Sequence, residues 1–585
     1  MYCRFAVSPK GKSTRDTARM PKMHNALRQW RPVMAIIGAA MVLGACQSQS
    51  ISQPAKLKTE TPAGNFLAAR QALYFNDVEQ SADFFLQTLK NDSSNINLLR
   101  QSFITQYYYG DIERAAALGR QLESLNETMP LSHEPAVALA IRDNDWGAVL
   151  VLADKIAESS SSIGMAGIIK GWALVGNGQG GAGISAVLEA GRTQKDLEYG
   201  MPAHFRLHAA LMAEAIGNNN EAIQRAGGLA TEPLSIQSTF QLAELLARDD
   251  QIDAAMSILD DRLSRRYNMP QINNIITNLP ATPPPTLVQN IAAGIVDTAL
   301  AGNAGEERRL FAARLRFALF LDPQNDLAQF LLAQQFWDLD KTTEALRHFS
   351  KIDPSGMMGR PATLALMDIA SDQEDFGKAI KIVSALIKAS PDDGYLYKIL
   401  GDTYRRDGNY AKSRAAYYQS IDNGYRSSGL FRNLGITLER LGVDEEAEQQ
   451  LRASLEINPD DPFTLNYLGY WWAEEGRNLD EAIAFIERAV ELRPESGFFV
   501  DSLGWVHFRL GDAEKAVRYL EAATALEPSD PEIIGHLGDV YWTLGREQEA
   551  RFKWRLALSF ARSAEEAKKL KDKIANGYRA ADIDG

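Results

Sequence analysis

The spacing of apolar residues predicts helices along almost the whole chain. From about Gly64 onward, apolar residues recur every three or four positions, and no segment shows the strict alternation of a half-buried strand. The pattern breaks in LPATPPP (residues 279–285), where clustered prolines cannot lie inside a helix. Residues 47–63, QSQSISQPAKLKTETPA, are polar with two prolines, which is typical of a flexible tether. The sequence therefore predicts an all-α protein with a break at residues 279–285.

The C-terminal third repeats one motif at a fixed interval. The segments YKILGDTY, FRNLGITL, LNYLGYWW, VDSLGWVH and IGHLGDVY each contain a Leu-Gly pair, and their glycines are 34, 34, 35 and 34 residues apart: Gly401, Gly435, Gly469, Gly504 and Gly538. A second series keeps the same step: Gly408, Gly442, Gly476, Gly511 and Gly545. This spacing resembles the tetratricopeptide repeat, a helix-turn-helix unit of about 34 residues. The resemblance implies an all-α superhelical solenoid with a concave face.

Weaker copies of the motif extend toward the N-terminus. Six segments look like the second helices of degenerate repeats: residues 78–89, 111–122, 218–226, 251–263, 342–354 and 375–391. The predicted organisation is a lipoprotein-type signal peptide, a lipid anchor with its tether, a degenerate repeat solenoid, the Pro-rich break, further degenerate helices, five regular repeats, and a capping helix with a tail. Their respective bounds are 1–45, 46–63, 64–278, 279–285, 286–390, 391–562 and 563–585.

The N-terminal segment has the features of a secretory signal. Residues 33–45, VMAIIGAAMVLGA, carry no charge, follow a region rich in Lys and Arg, and are shorter than the roughly 20 residues of a transmembrane helix. Either Met20 or Met23 would also serve as the start. LGAC at residues 43–46 resembles a bacterial lipobox, which implies that Cys46 is lipidated and that Gln47 after it favours the outer membrane. The alternative is an ordinary signal peptide or uncleaved anchor with a chance cysteine.

The charge of the chain excludes two classes of partner. The full chain has 62 basic and 75 acidic side chains, a net charge of −13, and from Cys46 onward the net charge is −20. Nucleic-acid binding depends on neutralising phosphates with Lys and Arg, so it is excluded, and so is an electrostatic grip on anionic lipid. No cysteine follows Cys46, so the repeats contain no disulfide and depend on apolar burial.

Two short patterns that suggest chemistry have simpler interpretations. GNGQGG at residues 176–181 fits GxGxxG, but it follows a helical segment instead of a strand, so we interpret it as a turn between repeat helices. His204 and His208 lie four residues apart on a predicted helix, but no third metal ligand is evident, and we expect two solvated histidines. With no catalytic grouping in view, the sequence predicts no enzyme, no cofactor and no metal.

The repeats also predict where a partner would bind. In tetratricopeptide repeats the first helix of each pair lines the concave groove, and positions one, four and five after the small glycine point into it. Carried over by position, the resemblance implies a groove of aromatic and cationic side chains: Arg405, Arg406, Arg440, Tyr470, Trp505, Phe508, Arg509 and Trp542. Such a groove suits a peptide or protein segment. The alternative is that these aromatics pack against a neighbouring helix or against the N-terminal half of the superhelix.

Lipobox, tether and repeats together resemble the outer-membrane tetratricopeptide-repeat lipoproteins of Gram-negative bacteria. These include the NlpI and LbcA adaptors, which bring substrates to a periplasmic carboxy-terminal processing protease. The sequence resemblance is strongest in residues 465–560. The resemblance implies a periplasm-facing outer-membrane scaffold that binds partner proteins, presents clients to a protease, and is compatible with a homodimer. A scaffold for polysaccharide export or pilus assembly is an alternative, and so is an enzyme within residues 64–285.

Overall fold

The computed structural model describes residues 61–129, 131–159, 162–193, 201–260, 279, 282–302 and 308–579. Cys46 and the predicted signal lie outside these residues. The described residues form 29 α-helices and no strand. They divide into two compact units on either side of the Ala365–Leu366 bond, whereas the sequence placed a break at residues 279–285. None of the described helices is both long enough and apolar enough to cross a bilayer.

The first unit begins with twelve helices, each packed against the next. They are α1 Pro62–Tyr74, α2 Val78–Asn91, α3 Ile96–Tyr109, α4 Ile112–Ser124, α5 Glu134–Arg142, α6 Trp146–Ala157, α7 Ile163–Gly176, α8 Gly180–Thr193, α9 Ala203–Ala215, α10 Asn219–Ala226, α11 Ile236–Arg248 and α12 Ile252–Leu259. The predicted second helices among them are present as α2, α4, α10 and α12. The GxGxxG pattern is the turn between α7 and α8, as predicted.

The next two helices fold back over this array. Helix α13 (Leu287–Ala301) packs on α7, α9 and α11, and α14 (Arg308–Leu321) packs on α3 and α5. These five are alternate members of the array, the first helices of its pairs. The unit continues with α15 (Asp326–Asp338) and α16 (Thr342–Phe349). The face that repeat helices present to a partner is therefore covered in this unit by the chain itself.

Buried polar groups fix these two helices to the array. The Arg314 side chain, 2% exposed, donates to Ser162 Oγ over 3.1 Å and lies 3.5 Å from the Glu134 carboxylate. On α13, Asp297 accepts hydrogen bonds from Ser235 at 2.7 Å and Ser238 at 2.6 Å. Burial raises the pKa of Asp297 to about 6, although the two serine hydroxyls oppose the shift. Because an unpaired buried polar group is costly, these contacts specify one packing arrangement.

The expectation of two solvated histidines on α9 is wrong. His204 is 8% exposed and His208 is fully buried, because α13 packs over them and Gly294 lies against the His208 ring. Trp172 Nε1 donates to His208 Nδ1 over 3.0 Å. Burial lowers the pKa of His204 to about 4 and that of His208 to about 3, so both rings are neutral at pH 7.

The second unit is a stack of antiparallel helix pairs. Helix α17 (Gly359–Asp372) contains the boundary between the units, and the helices after it are α18 Phe376–Ala389, α19 Gly394–Arg406, α20 Tyr410–Asp422, α21 Ser428–Glu439, α22 Asp444–Ile457, α23 Pro462–Glu474, α24 Leu479–Leu492, α25 Gly497–Arg509, α26 Ala513–Leu526, α27 Pro531–Thr543, α28 Glu547–Ser559 and α29 Ala564–Asn576. The regular repeats are the five pairs from α19/α20 to α27/α28, and α29 packs on α28.

The two glycine series have different structural roles. In the first series, a methyl group added at Gly469 would lie 2.7 Å from the Ala482 carbonyl oxygen, and one at Gly538 would lie 2.4 Å from Trp554 Nε1. Glycine is therefore required where the two helices of a pair approach each other. In the second series, Gly442 has φ +71° in the turn between paired helices, a conformation that glycine adopts without strain.

Candidate functional site

The first helices of the five regular pairs lie side by side in the second unit. Helix α19 contacts α21, and α25 contacts both α23 and α27. Tyr467 on α23 donates its hydroxyl to Glu439 on α21 over 3.0 Å, which joins the remaining two. We call the surface formed by α19, α21, α23, α25 and α27 the first-helix face. The eight residues predicted to line a groove lie on these helices or directly after their last residue, and their role in binding stays a prediction.

Trp505 is the centre of an aromatic cluster on this face. Its ring lies 5.3 Å from the Phe508 ring and stacks on His536 of the neighbouring helix at 4.0 Å, with an interplanar angle of 20°. The indole Nε1 donates to Glu474 Oε1 over 2.7 Å. Trp505 is 7% exposed and Phe508 8% exposed, whereas Tyr470 and Trp542 are half-buried against the same core. The structure thus brings all four predicted aromatics together, with two of them largely below the surface.

The chain after α29 covers part of the cluster. Tyr578 places its ring 5.8 Å from that of Phe508, and Gly577 lies directly against the Trp542 indole. Lys573 on α29 donates to Asp539 Oδ2 over 2.6 Å and so joins this helix to the first-helix face. Trp542 also packs on Trp554 at 5.5 Å, with the Arg551 guanidinium 4.8 Å from its ring centre. Phe508 and Trp542 therefore serve as packing residues, which is the alternative that the sequence left open for these aromatics.

The four predicted arginines differ in accessibility. Arg405 is 7% exposed, and Tyr417 and Asp402 raise its pKa although burial alone would lower it. Arg406 donates to the Ser371 carbonyl oxygen at 2.9 Å, and Arg509 donates to that of Glu474 at 3.0 Å. Arg440 lies 3.4 Å from Glu439, and its side chain is 34% exposed. Arg440 is therefore the predicted cation that is best placed to meet a partner.

The sequence analysis did not identify a cluster of ionisable residues beside Trp505. His536 Nδ1 lies 3.1 Å from both carboxylate oxygens of Asp501. Although burial favours the neutral imidazole, Asp501 and then Glu532 raise the pKa of His536 to about 9. Burial in turn raises the pKa of Glu532 to about 7, while His536 opposes that shift. Asp501 lies three positions before Gly504, and His536 and Glu532 lie two and six positions before Gly538. These positions share a helix face with the positions predicted to line the groove, so the spacing could have indicated them.

Several buried polar atoms on the face have no hydrogen-bond partner in the described residues. They include Arg405 Nε on α19 and Asn466 Oδ1 on α23, one helical turn before Tyr470. Across the described ranges, no three His, Cys, Asp or Glu side chains converge as metal ligands.

Comparison with known proteins agrees with the repeat geometry. The tetratricopeptide repeat family profile matches residues 364–428 and 502–564. The TPR repeat-containing protein PA4667 of Pseudomonas aeruginosa is 28% identical over 194 residues, which cover 32% of this chain and 33% of that protein. The cytochrome c-type biogenesis protein CycH of Rhizobium meliloti is 28% identical over 153 residues, covering 24% of this chain and 37% of the relative. The chain thus aligns with only about a third of the length of these relatives.

Among solved structures, the APC/C hetero-tetramer Cut9-Hcn1 aligns over 89% of this chain and 97% of that chain, with 14% sequence identity and a TM-score of 0.35. That score is too low to support an argument about shape or function. The conclusion rests on the glycine-spaced helix pairs and on the family profile, whose two segments fall within and beside these pairs. Together they show that the described residues are all-α and that the second unit contains tetratricopeptide repeats.

Proposed function

We propose that this protein is a membrane-anchored, periplasm-facing scaffold that binds partner proteins through the first-helix face of its second unit. The observation that carries the proposal is the composition of that face. Tyr470 on α23 and Arg440, directly after α21, offer an aromatic and a cationic contact. Extended peptides are bound by such combinations, in which apolar anchors supply affinity and polar groups set the register.

The accessible centre of the proposed site is the α21–α23 part of the face. Trp505 and Phe508 are largely buried, and they support the site from below by holding the neighbouring helices together. Glu439 and Glu474 accept hydrogen bonds from Tyr467 and Trp505 and so orient these aromatic side chains. A partner segment with an aromatic or aliphatic anchor and an acidic group suits this arrangement, because Arg440 lies beside Tyr467 on the adjacent helix.

The proposed lipid anchor is supported by the sequence alone. Lipidation of Cys46 would attach the chain to the outer membrane, and the residues between Cys46 and α1 would tether the helical units near its surface. Stable membrane anchoring takes more than one acyl chain. The resemblance to lipobox-containing lipoproteins implies that Cys46 carries more than one. Confinement at a membrane raises the effective concentration of two partners that bind the same scaffold.

We further propose that the bound proteins are clients to be handed on, either to a processing protease or during assembly. The protease role follows from the resemblance to the NlpI and LbcA adaptors. The assembly role is favoured by the relative named for cytochrome c-type biogenesis. Both roles need a scaffold that holds one protein while another acts on it, and neither needs catalysis by the scaffold.

Site-specific photo-crosslinking tests the binding surface. A benzophenone amino acid replaces Tyr470 on the first-helix face or, as the matched control, Tyr418 on α20, the second helix of the α19/α20 pair. Irradiation of intact cells followed by purification should yield crosslinked partner proteins from position 470 and few from position 418. Equal crosslinking at both positions, or crosslinking at 418 alone, would show that partners bind elsewhere.

A further inference from the structure

A second candidate site lies in the first unit, away from the first-helix face. A cavity of about 890 Å³ is enclosed by the α1–α2 and α3–α4 connections on one side and by α14, α15 and α16 on the other. Its volume falls within the range of known ligand sites. Phe320, Leu332 and Phe336 contribute to an apolar wall, and Arg316, Arg347 and Lys351 contribute cations.

No ion pair joins Arg316, Arg347 or Lys351 to a carboxylate within the residues that the structure describes. Arg316 donates instead to the Tyr108 carbonyl oxygen at 2.7 Å, and its guanidinium lies 5.4 Å from the centre of the Phe336 ring. Burial lowers the pKa of Arg316 to about 10, and no carboxylate contributes to that pKa.

The pKa of His348 responds to the cations that line the cavity. Its ring stacks near Phe336 at 5.5 Å, and its Nδ1 lies 2.6 Å from the Gln329 side-chain oxygen. Burial, and after it the charges of Arg316, Lys351 and Arg347, lower the pKa of His348 to about 4. Burial disfavours charge of either sign, so only the contributions of Arg316, Lys351 and Arg347 indicate a positive potential at this ring.

Acidic residues also line the cavity, but most are already engaged. Asp77 accepts hydrogen bonds from the backbone and side chain of Gln80, and Asp111 lies 3.6 Å from Arg114. Glu79 accepts from the Tyr109 hydroxyl at 3.3 Å. Glu344 is the fourth acid of the lining. Three of the four acids are therefore engaged in local caps and contacts, whereas Glu344 remains in the lining together with the three cations.

We propose that this cavity binds an acidic peptide segment of a partner protein. Its carboxylates would pair with Arg316, Arg347 and Lys351, and its apolar side chains would lie on Phe320 and Phe336. A peptide is favoured over a single small anion because the cations are spread along the lining, with Arg316 on α14, Arg347 on α16 and Lys351 two residues beyond α16, and apolar side chains lie among them. Only a ligand with several anionic groups and apolar parts between them uses the whole lining. This site goes beyond the proposed function, since it lies in the other unit.

Fluorescence anisotropy with a labelled peptide tests the proposal. The probe alternates Glu with Leu and Phe, and the matched peptide has Gln in place of Glu. The protein is the full chain carrying Cys46→Ser. We expect the Glu peptide to bind and the Gln peptide to bind at least about tenfold more weakly, with affinity for the Glu peptide falling as salt is added. Equal binding of the two peptides would overturn the proposal.

Paired charge reversals locate the site. Arg347→Glu with Lys351→Glu should weaken binding of the Glu peptide about tenfold or more, because both side chains are exposed and their reversal leaves the core intact. The matched control is Lys381→Glu with Lys388→Glu, two exposed residues on α18 of the second unit. It should bind as the parent chain does, and so should Arg440→Glu, which alters the first-helix face. Equal loss in the control pair would show that net charge alone governs binding.

Two competitors distinguish other anions from a peptide. Inorganic phosphate and phosphatidylglycerol vesicles are added at matched ionic strength to the parent chain with the bound probe. Neither should displace the peptide beyond the effect of salt. Displacement by phosphate would identify a small-anion site, displacement by vesicles would identify a lipid site, and either result would overturn the peptide assignment.

Discussion

At the scale of single residues, the ionised group beside Trp505 links the stability of the second unit to pH. Asp501 holds His536 protonated, and the indole of Trp505 stacks on the resulting imidazolium. A cation over an aromatic face is attracted by the ring quadrupole, so the charge contributes to packing. Because the pKa values of His536 and Glu532 are both raised in the folded state, that state binds more protons than the unfolded chain.

This linkage predicts a loss of stability as pH rises. The contribution of His536 is fully present below pH 6.5 and disappears as the pH passes about 9, and that of Glu532 disappears between pH 4.5 and about 7. Thermal unfolding of the parent chain and of His536→Gln, followed by circular dichroism from pH 6 to pH 10, measures the difference. The melting temperature of the parent should fall further between pH 6 and pH 10 than that of the variant. Identical pH profiles would show that His536 is not held protonated.

Two glycines of one helix provide a second prediction. On α27, a methyl group at Gly538 would lie 2.4 Å from Trp554 Nε1, whereas one at Gly535 would meet nothing closer than 3.8 Å. Gly538→Ala should therefore reduce the free energy of unfolding by about 1–3 kcal/mol, the usual cost of overpacking a core. Gly535→Ala, the control with the same helix propensity change, should unfold like the parent or slightly later. Equal effects in urea denaturation would contradict the assigned role of the repeat glycines.

At the scale of helices, an ion pair between Lys573 and the buried Asp539 helps to hold α29 to the repeats. Asp539 is 1% exposed, and burial raises its pKa, while Lys573 and the Trp554 indole oppose the shift. Removing one partner of a buried pair leaves an uncompensated charge, which costs more than losing an exposed pair. The capping helix is therefore part of the folded unit and not an appendage.

Replacing that lysine tests the role of α29. Lys573→Ala should destabilise the chain by about 3 kcal/mol, since Asp539 stays buried without its cation. Lys568→Ala on the exposed side of the same helix should change stability by less than about 0.5 kcal/mol. Chemical denaturation of both variants provides the comparison. A Lys573→Ala variant as stable as Lys568→Ala would mean that α29 contributes little to the second unit.

Helices were largely predictable from the sequence, but their long-range packing was not. The apolar period located α2, α4, α10 and α12, and the repeat glycines identified the close helix contacts. The return of α13 and α14 onto the first helices depends on pairs far apart in the chain, such as Asp297 with Ser235. No local pattern encodes such a pair, so the burial of His208 was missed. The cover of Tyr578 on Phe508 was missed for the same reason.

At the scale of the whole molecule, the proposed anchor is separable from the fold. Cys46 lies outside the described residues, and every hydrogen bond and core cluster discussed above lies in residues 61–579. Cys46→Ser should therefore move the protein from the membrane fraction to the soluble fraction while its circular dichroism spectrum stays unchanged. Cell fractionation with immunoblotting gives the measurement, and Ser48→Ala provides the matched control. A variant that stays with the membrane would contradict lipidation at Cys46.

The central claim is that the first-helix face of the second unit binds partner proteins, and affinity purification of two charge-reversal variants tests it most directly. Arg440→Glu alters the exposed cation next to that face, whereas Arg414→Glu makes the same change at an exposed position on the second helix α20. The intact proteins are purified from detergent-solubilised membranes, and co-purifying partners are quantified by mass spectrometry. The account predicts that Arg440→Glu recovers about fivefold less partner protein than Arg414→Glu, which should match the parent. Equal recovery from both variants would contradict it.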